Sequence, residues 1–209
     1  MAWEYAINKE FTMAWKNWYH IMFNPYGQWL RGDPRGWRER NHRLHVEGDY
    51  KNPPAPSGYN DHVLKKSKES MEFPEVTFSK SMRRDVGVLL LESFAIQKIE
   101  VLSLAVGMRH VHLLAQCPKK NPKVVTGKAK NNVWMKLVNG GDKLKAKANV
   151  RPFWALGSHA EPIADRSHQV EVFWYVIDHR KKGAWVWCYR DLRDGAVSCR
   201  HERERSARR

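Results

Sequence analysis

The feature that most constrains the fold is a pair of apolar runs near the middle of the chain, separated by only a few residues. Residues 99–106 alternate in the manner of a β-strand, a short turn containing glycine follows, and residues 110–117 run back as a second strand. Because successive side chains of a strand point to opposite faces, His110 and His112 fall on one face and Val111 on the other. The pattern predicts a central β-hairpin that presents two imidazoles side by side.

This run alone leaves two interpretations of the histidines open. Neutral imidazoles on one face can share a metal ion, which is a common role of histidine. They can equally be core or surface histidines that form hydrogen bonds and have no further role. The rest of the chain has to decide between these interpretations.

Three segments outside the hairpin have the apolar spacing of helices. Ser79 is a suitable N-cap for the first, which has apolar residues at helical spacing as far as Ile96. The second covers residues 121–139 and is followed by two glycines, and the third begins after Asp165 and ends at Gly183. In chain order, the remaining predictions are a strand over residues 18–24, a short basic helix over residues 62–71 and an irregular strand or hairpin over residues 150–163.

The order of these elements predicts an α+β protein. We expect an antiparallel sheet with helices packed on one face, of the ferredoxin-like or RRM-like type. A chain of 209 residues is long enough for one well-buried domain. We predict an N-terminal arm at residues 1–17, a single domain at residues 18–189 with an insertion at residues 25–78, and a basic, disordered tail at residues 190–209.

The charge of the chain indicates a polyanionic partner. With 37 Lys and Arg against 22 Asp and Glu, the formal net charge is +15 at pH 7. Nucleic acid is the first candidate, because each phosphate that a basic side chain neutralises releases counterions. An anionic membrane surface is the alternative, and the lack of an apolar run of about 18 residues disfavours it.

The cysteines and the N-terminus favour a cytoplasmic protein. The 3 cysteines show no CxxC spacing, so the sequence favours neither a disulfide framework nor a cysteine zinc site. Charged and polar residues interrupt the apolar character of the first ten positions, which is not the pattern of a signal peptide.

A loop near the start of the domain interleaves arginine, glycine and tryptophan. Residues 26–38 have neither helical nor strand period, which predicts a structured loop. Its arginines can meet phosphates and its tryptophans can stack on unpaired bases, although a solvated basic loop is the plainer interpretation. With two lysines of the second helix, the predicted nucleic-acid-binding residues are Trp29, Arg31, Arg35, Arg38, Lys128 and Lys130.

The third helix contains two residues that can complete a site with the paired histidines. Tyr175 and His179 are four apart and therefore lie on the same helix face. Packed beside the central strands, this helix would bring a third imidazole and a phenol to His110 and His112. Three nitrogen ligands can hold a divalent metal ion with positions left open for phosphate oxygens, and the phenol would be the nucleophile. The plainer interpretation of Tyr175 is an aromatic side chain that packs between helix and sheet.

These residues carry a resemblance to a known family. His110, Val111 and His112 match the histidine–hydrophobe–histidine pattern of the HUH motif, and the run from Tyr175 to His179 is similar to the tyrosine helix of single-tyrosine HUH transposases. These are the IS200-like group, which includes the REP-associated tyrosine transposases. The resemblance covers residues 18–187, including the Gly- and Arg-rich loop, and it implies an HUH nuclease fold.

The resemblance implies a single-stranded DNA endonuclease and strand transferase. Tyr175 would attack a DNA phosphate, leaving a 5′-phosphotyrosine link and a free 3′-hydroxyl. His110 and His112 would hold Mg²⁺ or Mn²⁺, with His179 at the position of the third ligand. It also implies a bacterial cytoplasmic protein that is associated with the nucleoid when it is bound to DNA. The expected DNA includes hairpin ends, and the protein could act as a monomer or as a homodimer. A non-catalytic or domesticated single-stranded nucleic-acid-binding protein is the alternative, and Arg109 could either repel the metal or clamp the phosphate.

Overall fold

The computed structural model describes residues 15–34, 37, 58–118, 121–139 and 152–192. Most of the predicted N-terminal arm, much of the predicted insertion and most of the predicted tail lie outside these ranges. Arg35 and Arg38, two of the predicted nucleic-acid-binding residues, also lie outside them.

Five strands form one sheet in the described part of the chain. They are β1 (Trp18–Phe23), β2 (Glu100–Val106), β3 (Val111–Gln116), β4 (His159–Pro162) and β5 (Trp185–Cys188). Their order is β4-β1-β3-β2-β5, and every neighbouring pair is antiparallel. The predicted central hairpin is confirmed as β2 and β3, and its turn is closed by the Gly107 peptide N–H, which donates to the His110 carbonyl over 2.9 Å.

Among the described residues, four α-helices accompany the sheet. They are α1 (Gly58–Glu69), α2 (Lys80–Ile96), α3 (Pro122–Asn139) and α4 (Arg166–Asp178). Both predicted N-caps are confirmed, because the Ser79 side chain accepts from the Met82 N–H and the Asp165 side chain accepts from the His168 N–H. The third predicted helix is divided: α4 ends at Asp178, and a 3₁₀ turn follows it to Gly183, which has a φ of 77°.

The sheet separates two apolar cores. On one face, Leu113 and its neighbours pack under α2 and α3, and on the other face Leu114 packs against Val176 of α4. The α+β class with an antiparallel sheet is confirmed, and β1 to β4 with α2 and α3 follow the β-α-β-β-α-β order of ferredoxin-like proteins. The prediction of helices on one face is wrong. Because β3 is buried at nearly every position, both of its faces need a cover.

The strand β5 was not predicted from the sequence. It pairs with β2 at one edge of the sheet, and its Trp185 lies against α2. A Cβ added to Gly87 of α2 would lie 2.0 Å from Cζ3 of Trp185, a distance that real structures do not allow. The glycine therefore permits the indole to rest directly on the helix backbone.

The cysteines depart from expectation in one respect. Cys117 is buried and takes no part in a disulfide, but Cys188 at the end of β5 is disulfide-bonded. The cysteine pattern therefore no longer supports the cytoplasmic location, which stays a prediction. Among the described residues, no helix combines the length and the apolar character that crossing a membrane requires.

Candidate active site

Three histidines from two separate parts of the chain converge at the turn end of the central hairpin. His110 directly precedes β3, His112 is the second residue of β3, and His179 follows α4. One ring nitrogen from each lies within 4.8 Å of the others. The ring centroids are 4.4 Å apart for His112 and His179, 4.9 Å for His110 and His112, and 5.3 Å for His110 and His179. The predicted pair of imidazoles on one face is confirmed, with His110 in the turn rather than within the strand.

The turn before β3 sets the position of His110. A Cβ on Gly107 would lie 3.0 Å from Nε2 of His110 and 3.3 Å from its carbonyl oxygen, so a glycine leaves room for the ring. The same turn is tied to the segment before α2, because the Phe78 N–H donates to the Met108 carbonyl over 2.8 Å. Gly107 therefore leaves space for the His110 ring, and the hydrogen bond from Phe78 fixes the turn that carries this residue.

The end of α4 fixes the orientation of His179. Its Nδ1 lies 2.9 Å from the carbonyl oxygen of Tyr175. Because a carbonyl oxygen can only accept, Nδ1 carries the proton and Nε2 has the lone pair that can bind a cation. The following turn is anchored by Arg83 of α2, whose Nη1 donates to the Gly183 carbonyl.

Tyr175 lies one helical turn before His179 and borders the same cluster. Its ring centroid is 4.8 Å from that of His179 and 5.5 Å from that of His112, and both contacts are edge-on. The residue is 40% exposed, whereas its neighbour Val176 is fully buried. An aromatic side chain that served only to join helix and sheet would be covered, so the exposure favours a ring that a substrate can reach.

His20 of β1 belongs to the same cluster, and the sequence did not reveal it. The residue is only 7% exposed, and its Nε2 lies 3.1 Å from Nδ1 of His112. Its ring also contacts the Tyr175 ring at a centroid distance of 5.5 Å. An imidazole inside an apolar strand was the available signal. Its meaning depends on β1 pairing with β3, which the sequence does not specify.

Burial favours the neutral form of His20, His112 and His179. Loss of solvation lowers the pKa of His20 to about 4 and the pKa of His112 to about 2, with neighbouring histidines adding to the effect on His112. Burial also lowers the pKa of His179, and the hydrogen bond to Tyr175 opposes that shift. Neutral imidazole is the form that binds metal ions, so burial favours metal binding by His112 and His179 at neutral pH.

The donor set bears on the choice of metal. The atoms that can meet around one ion are imidazole nitrogens, with no carboxylate among them in the described residues. Mg²⁺ prefers oxygen ligands, and affinity for nitrogen sites rises from Mn²⁺ towards Co²⁺ and Zn²⁺. The residues therefore fit a divalent transition metal such as Mn²⁺ better than they fit Mg²⁺.

The predicted nucleic-acid-binding residues have different surroundings. Trp29 is 43% exposed, Lys128 is exposed on α3, and the guanidinium of Arg31 lies 5.7 Å from the ring centroid of Trp37. Lys130 is buried instead, and its ammonium donates to two backbone carbonyls of residues 155 and 157, over 2.5 and 2.7 Å. Lys130 thus has a structural role in binding the loop at residues 155–157, whereas Trp29, Arg31 and Lys128 lie at the surface.

Arg109 points towards an acidic side chain. Its Nε lies 3.6 Å from Oε1 of Glu75, which also accepts a hydrogen bond from Gln28 over 2.8 Å. The pair is about half exposed and contributes roughly 0–1 kcal/mol, so Arg109 can leave it at little cost.

Comparison with known proteins adds no family. A scan against protein-family models found no match, and a search of curated proteins found none either. The resemblance to single-tyrosine HUH transposases therefore rests on the motifs of this sequence, and the HUH nuclease fold stays a prediction.

Proposed function

We propose that this protein is a metal-dependent endonuclease and strand transferase for single-stranded DNA, with Tyr175 as its nucleophile. One observation carries the proposal: the imidazoles of His110, His112 and His179 converge beside a partly exposed phenol. Metal ligands and a nucleophile must lie within a few ångströms of each other to act on one phosphate. The ring distances in the cluster meet that requirement.

The reaction is an exchange of phosphodiester partners. The phenolic oxygen of Tyr175 attacks the phosphorus, a P–O bond to the tyrosine forms, and the bond from phosphorus to the 3′ oxygen breaks. The phenolic proton ends on the 3′ oxygen, so the products are a 5′-phosphotyrosine and a 3′-hydroxyl. One ester bond replaces another and no water is consumed, so the 3′-hydroxyl of the same or another strand can reverse the step.

The three histidines and Tyr175 have separate roles in this reaction. A divalent ion held by His110, His112 and His179 would polarise a phosphate oxygen and stabilise the charge that develops on it. Tyr175 and His179 lie on one helix turn and its continuation, so nucleophile and ligand keep a fixed separation. A protonated phenol is a weak nucleophile, and a fixed orientation of Tyr175 towards the phosphate would compensate in part.

The excess of basic residues supports DNA as the substrate class. A formal charge of +15 favours any polyanion, and exposed Trp29 and Arg31 are suited to unpaired bases and phosphates. The same charge would serve a non-catalytic nucleic-acid-binding protein. The experiment therefore has to detect bond breakage and not binding.

The test is the formation of a covalent adduct with single-stranded DNA. Wild type is incubated with a pool of labelled oligonucleotides, with and without hairpins, in Mn²⁺, and adducts are resolved on denaturing gels. We expect an adduct that maps to Tyr175, requires Mn²⁺ and is absent from Tyr175→Phe. Tyr189→Phe, which removes a phenol outside the histidine cluster, is the matched control and should keep the adduct.

A wild-type protein that binds the oligonucleotides and never forms an adduct would refute the proposal and leave the non-catalytic alternative. An adduct of equal yield in Tyr175→Phe would show that another residue is the nucleophile.

A further inference from the structure

His20 is a buried imidazole that the proposed reaction does not use. It lies on β1 and contacts both His112 and Tyr175. A buried polar side chain next to a site is costly unless its hydrogen bonds are satisfied, so its presence in an apolar strand needs an explanation. The contact with His112 supplies one.

The nitrogens of His20 and His112 restrict each other's protonation. Nε2 of His20 and Nδ1 of His112 are 3.1 Å apart, so one of the two nitrogens donates and the other accepts. If His112 uses Nε2 as a metal ligand, its proton must be on Nδ1, which then donates to Nε2 of His20. That arrangement puts the proton of His20 on its own Nδ1.

Glu161 is placed to favour this arrangement. It is the direct cross-strand partner of His20 in the pairing of β1 with β4, so its carboxylate is on the same side of the sheet as the imidazole. The negative charge of Glu161 acts on His20 and stabilises positive polarisation of that ring. A carboxylate, an imidazole and a second imidazole thus follow one another towards the candidate metal centre.

His20 does not belong to the ligand set itself. The ring nitrogens that lie within 4.8 Å of one another come from His110, His112 and His179. His20 contacts the set at His112, and it contacts the candidate nucleophile through the edge contact with the Tyr175 ring.

We propose that His20 is a positioning residue that holds His112 in the Nδ1–H form with Nε2 towards the metal and restrains the Tyr175 ring beside it. This inference rests on the proposed metal centre. Partners of this kind typically change metal affinity about 10- to 100-fold when they are removed.

The experiment compares two substitutions of His20. In His20→Gln, the side-chain amide oxygen falls near the position of Nε2 and can accept from His112, whereas His20→Leu fills space and accepts nothing. His159→Leu, at an exposed histidine of β4 outside the ligand set, is the matched control. Each variant is titrated with Co²⁺ alone, followed by its visible absorption. Thermal unfolding checks that each is folded.

We expect His20→Leu to bind Co²⁺ about 10- to 100-fold more weakly than wild type, and His20→Gln and His159→Leu to stay close to wild type. A second readout, on the wild type without metal, is the ¹⁵N spectrum of the imidazoles, which should report His112 as the Nδ1–H tautomer. This measurement decides the question even if His20→Leu does not fold.

Two results would overturn the inference: a His112 that carries its proton on Nε2 in the wild type, or a folded His20→Leu that binds Co²⁺ like wild type. The Co²⁺ titration contains no DNA. A wild type that binds Co²⁺ in a His20-dependent way and forms no DNA adduct would refute the proposed function only. Adduct formation with a Co²⁺ affinity that does not depend on His20 would refute the inference only.

Discussion

The turn glycine before the first histidine offers a sharp test of the candidate metal centre. In Gly107→Ala, the new methyl carbon would lie 3.0 Å from Nε2 and 3.2 Å from Cδ2 of His110. Ordinary contact begins near 3.4 Å, so the ring has to move by a few tenths of an ångström. Gly107 is not among the glycines with positive φ, so the substitution adds no backbone strain and acts through the ring.

That displacement is large for a ligand atom. Metal sites hold their ligand distances within about 0.2 Å of the ideal value, so a shift of a few tenths takes His110 out of its best position. We expect metal binding to weaken about 10- to 100-fold, equivalent to about 1.4–2.7 kcal/mol. Crowding of the turn should lower the free energy of unfolding by about 1 kcal/mol.

The assay is a Co²⁺ titration of the variant together with chemical denaturation. Gly127→Ala on the exposed face of α3 is the control, because no heavy atom lies within 4 Å of the added methyl. It should bind Co²⁺ like wild type and be more stable by about 0.5–1 kcal/mol, since alanine is the better helix residue. A folded Gly107→Ala with wild-type Co²⁺ affinity would refute the assignment of His110 as a ligand.

Three further predictions follow from the packing and the charges. Gly87→Ala should cost at least about 1–3 kcal/mol of unfolding free energy, measured by denaturation, because its methyl would overlap the ring of Trp185. Stability of the metal-free protein should fall as the pH drops from about 6.5 towards 4, because the unfolded chain binds a proton at His20 in this range and the folded, buried imidazole does not. In thermal unfolding, the melting temperature of His20→Gln should depend less steeply on pH than that of wild type, and equal slopes would contradict this prediction. Lys128→Met should reduce the slope of log affinity for single-stranded DNA against log salt by about 0.7, whereas Lys130→Met should leave that slope unchanged and lower the melting temperature.

The local chemistry of the sequence predicted most elements of the fold. Caps such as Ser79 and Asp165, and the alternation around the hairpin turn, are encoded within a few residues and appear where the pattern puts them. The strand β5 was missed because it has only four residues and directly follows a helix end. Its existence depends on the edge of β2 and on Gly87 of α2, which are distant in sequence.

The candidate site was predictable to the extent that spacing determines it. His110 and His112 are two apart where β3 begins, and Tyr175 and His179 are four apart where α4 ends, so each pair follows a period that the sequence shows. His20 was not predictable, because its role depends on which strand lies beside β3. The burial of Lys130 was not predictable either, since it depends on two backbone carbonyls of a loop some 25 residues further on.

The sheet with a core on each face has a consequence for local motion. The histidine hairpin is enclosed by both cores, whereas α4 rests on the smaller core alone. Amide protons of β3 should therefore exchange with solvent only on global unfolding, while those of α4 should exchange through a cheaper local opening. Such an opening would lift the phenol and the third imidazole away together, and would leave the other two imidazoles in place on the hairpin.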